Sequence, residues 1–79
     1  MRVSPEGAGR YTVTIVSPVK DEEEFRQVIS EDIEPSLGEQ DRLEEVRWPA
    51  RCVTVTVARL DLFQRRLAFK SVMVEQRRQ

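Results

Sequence analysis

The chain has 79 residues, 39% hydrophobic and 34% charged, with 13 basic and 14 acidic side chains and no histidine. That length holds one domain, and a domain near this size buries only roughly 60% of the surface its unfolded chain exposes, so the core is thin. The lone Cys52 excludes an internal disulfide, the lack of histidine removes the commonest general base and metal ligand, and no apolar run approaches the ~20 residues of a membrane helix.

Residues 1–9 are expected to be a flexible N-terminal arm, because Pro5, Gly7 and Gly9 disfavour regular structure. The polar RVSPEGAGR after Met1 is no apolar signal segment, so a cytoplasmic protein is expected. Residues 10–79 are expected to form a single α+β domain. YTVTIV alternates, with Tyr11, Val13 and Ile15 on one face and Thr12 and Thr14 on the other, and predicts a half-buried strand. A helix follows, starting at Ser17-Pro18 or a turn later at Asp21, where Glu24 completes a capping arrangement. Phe25, Val28, Ile29 and Ile33 recur at helical spacing, and Pro35 is expected to stop the helix.

LEEVRW is a weaker strand, and RCVTVTVAR is the cleanest one, with Val53, Val55 and Val57 facing in and Cys52, Thr54, Thr56 and Ala58 facing out. Asp61 is expected to cap a final helix. The order β-α-β-β-α predicts a two-layer sandwich, a three-stranded sheet with two helices on one face. Three strands leave two edges, so dimerisation by edge pairing or through helix surfaces would fit.

Catalytic motifs are not visible. Cys52 has no imidazole to activate it and fills a strand position as a small apolar side chain. DEEE at a helix N-terminus complements the macrodipole, and PEGAGR lacks the preceding strand and the Lys-Ser/Thr pair of a P-loop. An acylphosphatase-like enzyme would need an anion-binding loop after the first strand, where SPVKDEEE is acidic. No cofactor and no catalytic activity are expected.

The final helix carries more apolar residues than one face needs. At about 100° per residue, Leu62, Phe69, Val72 and Met73 share one stripe, and Phe63, Leu67 and Val74 share another. Arg66, Lys70 and Arg77 fall between them. One stripe is expected in the core and the other against a partner, with periodicity unable to choose; Leu62, Arg66, Phe69, Lys70 and Met73 are the candidate partner-binding set. Charge is also segregated: residues 21–45 hold eleven acids against two arginines, whereas residues 46–79 hold eight bases against two acids. The basic half suggests an anionic partner, with Arg47 and Arg51 at the hairpin and Arg77 and Arg78 at the chain end as candidate RNA contacts. Neutralisation between the halves within the fold is the alternative.

With these elements assembled, the chain resembles the Pcc-type small subunit of the KEOPS complex, which makes threonylcarbamoyl-adenosine in tRNA. The resemblance covers about residues 10–76, through YTVTIVSPVKDEEEFRQVI and VTVTVARLDLFQRRLAFKSVMV. Asp61-Leu62, Arg66, Ala68 and Ser71 fall in register with an Arg-x-Ala-x-Asn-Ser-like signature; Lys70 stands where the family favours Asn, and a residue is inserted near Arg59-Leu60. The resemblance implies a divergent, non-catalytic member that dimerises with itself or a paralogous small subunit. Its last helix would hold the catalytic subunit, and its basic residues would assist tRNA binding. ATP and metal would belong to the catalytic subunit. A stand-alone KH-like or ferredoxin-like RNA-binding module is the competing expectation, but no Gly-x-x-Gly clamp is present and the sheet offers threonines instead of stacking aromatics. A structural homodimer of another assembly is a third.

Overall fold

Two short runs of alternating Val and Thr become the centre of a sheet. In the computed structural model, which describes the backbone of residues 1–77 and the side chains of residues 1–70, eight segments follow one another. They are β1 (Arg2–Gly7), β2 (Arg10–Thr14), α1 (Glu22–Val28), a π turn (Ile29–Ile33), a 3-10 turn (Glu34–Ser36), β3 (Arg42–Arg47), β4 (Cys52–Thr56) and α2 (Leu60–Arg77). The class is α+β, as expected, but the antiparallel sheet has four strands in the order β1-β2-β4-β3 and not three.

The fourth strand comes from the segment expected to be a flexible arm. Pro5 cannot donate to a ladder, but β1 lies at the sheet edge, where a proline nitrogen can face outward. The glycines make the turn: Ala8 and Gly9 sit at φ 56° and 76°, the two positive values of a type I′ hairpin, with Gly7 at 94° beside a bulge at Glu6. Residues taken as breakers are thus the hairpin itself. Gly9 also carries its carbonyl to the Val57 N–H at 3.0 Å, tying the turn to the end of β4.

Register sorts the side chains. Val3, Val13, Val53 and Val46 pair in one row across all four strands, and Pro5, Tyr11, Val55 and Leu43 in the next. These rows form the floor of the core, on which Phe25, Ile29, Ile33, Phe63 and Leu67 pack from the helices. Val53, Val55 and Val57 are buried as expected. Phe25 is fully buried, and its ring lies 5.3 Å from Trp48 at an angle of 38°. The opposite face carries the rows Ser4, Thr12, Thr54, Glu45 and Arg2, Thr14, Cys52, Arg47. Cys52 and Thr54 lie on this helix-free face as the alternation requires, yet both are buried, Thr54 to 3% exposure. Central strands are flanked on both sides, and the long arginine and glutamate side chains of the outer strands shield what stands between them.

The helical connection departs from the expected single helix. Asp21 caps α1, its carboxylate accepting the Glu24 N–H at 2.9 Å, so the later of the two starts is the real one. Pro35 has no N–H to give the Glu31 carbonyl and crowds the turn before it. The backbone loosens into the π turn and then passes through Pro35 in the 3-10 turn instead of stopping there. Ser36 donates its hydroxyl to the Asp32 carbonyl at 2.6 Å and closes the run. Asp61 does not cap α2; the helix begins one residue earlier, and Asp61 forms a two-bond fork with Arg59 at 2.7 and 3.2 Å. No helix among the described residues is long and apolar enough to cross a membrane.

Candidate interaction surface on the final helix

α2 runs back across the sheet from the end of β4. Its 18 residues make about 27 Å of helix, against about 20 Å for a six-residue strand, so it is longer than the floor beneath it. Phe63 and Leu67 are buried in the core, with Leu60 packed beside them. That assigns the stripe left open by periodicity: the Phe63–Leu67 row faces the sheet. In the other stripe Leu62 is half-buried and Phe69 stands 63% exposed. The side chains of Val72, Met73 and Val74 lie outside the described residues.

The basic seam between the stripes turns toward the chain's own acidic segment. The Arg66 guanidinium donates to the Ser36 carbonyl at 3.4 Å, at the C-terminal end of the helical run, where unpartnered carbonyls favour a cation. Lys70 lies close enough to Asp32 to draw its carboxyl down. Burial outweighs that attraction and, with Glu31 nearby, leaves Asp32 above the ordinary aspartate value. Arg66 and Lys70 thus brace α2 against the π and 3-10 turns, and part of the charge asymmetry is neutralised within the fold.

The hairpin arginines are not equivalent. Arg47 pairs with Glu45 at 3.0 Å, which holds the Glu45 carboxyl below its usual range through a hydrogen bond and the arginine's charge. Arg51 is exposed at φ 59°, and its carbonyl accepts the Ile15 N–H at 2.8 Å, so the turn is fastened to the chain leaving β2. Register puts Arg2 and Arg47 in one row, with Arg51 at the same end of the sheet. α2 heads toward that end, because a groove of about 230 Å³ is shared by Met1, Val3, Gln64, Leu67 and Ala68. The Arg77 side chain and all of Arg78 lie outside the described residues.

One organising residue escaped sequence reasoning. Asp41 sits in the loop before β3, and its carboxylate accepts the Gly38 N–H at 2.6 Å and the Ala58 N–H at 2.9 Å. It thereby fixes the β4–α2 junction against the end of the first helical run, and with it the angle at which α2 presents Leu62 and Phe69. The two partners lie three and seventeen positions away, and only the nearer is hinted at by loop chemistry in GEQD.

Compared with protein-family models, curated proteins and solved structures, the chain matches none.

Proposed function

We propose that this chain is a non-catalytic small subunit that dimerises and holds a larger catalytic partner through α2, in the manner of the KEOPS subunit it resembles. The observation that carries the docking part is the exposed Phe69 on a helix whose own core contact is already made by Phe63 and Leu67. A ring that large, left in water beside the half-buried Leu62, is an anchor without its pocket. The assembly itself is inferred from Asp61-Leu62, Arg66, Ala68 and Ser71 in register on the same helix. The substrate side of the proposal is tRNA, met in the assembled complex by arginines at the hairpin end. Support for this comes from Arg2, Arg47 and Arg51 lying at one end of the sheet.

Co-expression with a KEOPS catalytic subunit and affinity capture test the reading. Phe69→Asp should leave the fold intact and abolish co-purification, whereas Phe63→Ala should cost about 3–5 kcal/mol of stability, as buried aromatic truncations do. Trp48 fluorescence reports the fold, since the indole packs on Phe25. A folded Phe69→Asp chain that still captures the catalytic subunit as well as the parent would reject docking through this face.

A further inference from the structure

We draw no further inference here: the strongest candidate, the groove of about 230 Å³ between the β1 edge and α2 lined by Met1, Val3, Gln64, Leu67 and Ala68, carries nothing because nothing in the structure shows what covers it.

Discussion

Asp32 illustrates how one residue's surroundings become a pH dependence. Burial and the neighbouring Glu31 raise its carboxyl above the ordinary value of 3.8, and Lys70 only partly opposes them. The folded chain therefore holds this proton more tightly than the unfolded chain. Its contribution to stability is complete below the unfolded value and is lost as pH rises through the folded one. Asp32→Asn removes that loss, so the variant should unfold at higher urea than the parent at pH 7. Below the ordinary value, where Asp32 is protonated in both states, the two midpoints should converge. Paired urea titrations at neutral and acid pH, followed by Trp48 fluorescence, check this. A variant that unfolds at lower urea than the parent at pH 7, with the difference closing on acidification, would mean that the Lys70 attraction dominates.

The β1–β2 hairpin concentrates the same lesson at the scale of an element. Its turn is Ala8-Gly9, with left-handed backbone at both positions, and only the second residue suits that conformation. An L-residue with a β-carbon is strained there, and Asn tolerates it better than Ala. Ala8→Asn, which makes the turn Asn-Gly, should raise stability by about 0.5–1 kcal/mol in thermal or urea unfolding. No gain would indicate that the turn relaxes out of type I′ in solution. The hairpin was legible in part. Arg2, Ser4 and Glu6 against Val3 and Pro5 do alternate, but Pro and Gly weigh against a strand until it is known to lie at an edge. α2 was legible as a helix with two apolar stripes, of which Leu62, Phe63, Leu67 and Phe69 lie among the described side chains; which stripe met the sheet depended on the β4–α2 junction held by Asp41.

Charge sets the character of the whole molecule. A chain with net charge −1 should bind a polyanion weakly by itself, but local clusters act when a complex holds the polyanion in place. Arg51 is the informative position, because Arg47 is already engaged by Glu45. In the assembled complex, Arg51→Glu should weaken tRNA binding and flatten its salt dependence by about one unit or slightly less for each phosphate no longer neutralised. Anisotropy titrations of labelled tRNA across a salt series measure both quantities. An unchanged slope and affinity would remove the hairpin end from the RNA surface.

By itself the sequence determined the α+β class, the inward rows of β2 and β4 and the surplus of apolar residues on α2, and it offered Asp21 as one of two starts for the first helix. Each of these is a local pattern, written in periods of two or 3.6 residues and in the chemistry of a helix start. Tertiary structure decided what no local period carries. It turned Pro5 and the glycines from breakers into an edge strand, chose Phe63 and Leu67 over Leu62 and Phe69 for the core, and buried Thr54 on a face without helices. It also set Arg66 and Lys70 against the end of the first helical run, 30 or more residues back along the chain. Those outcomes depend on which elements become neighbours, and a side chain's burial and charge environment are fixed only when they do.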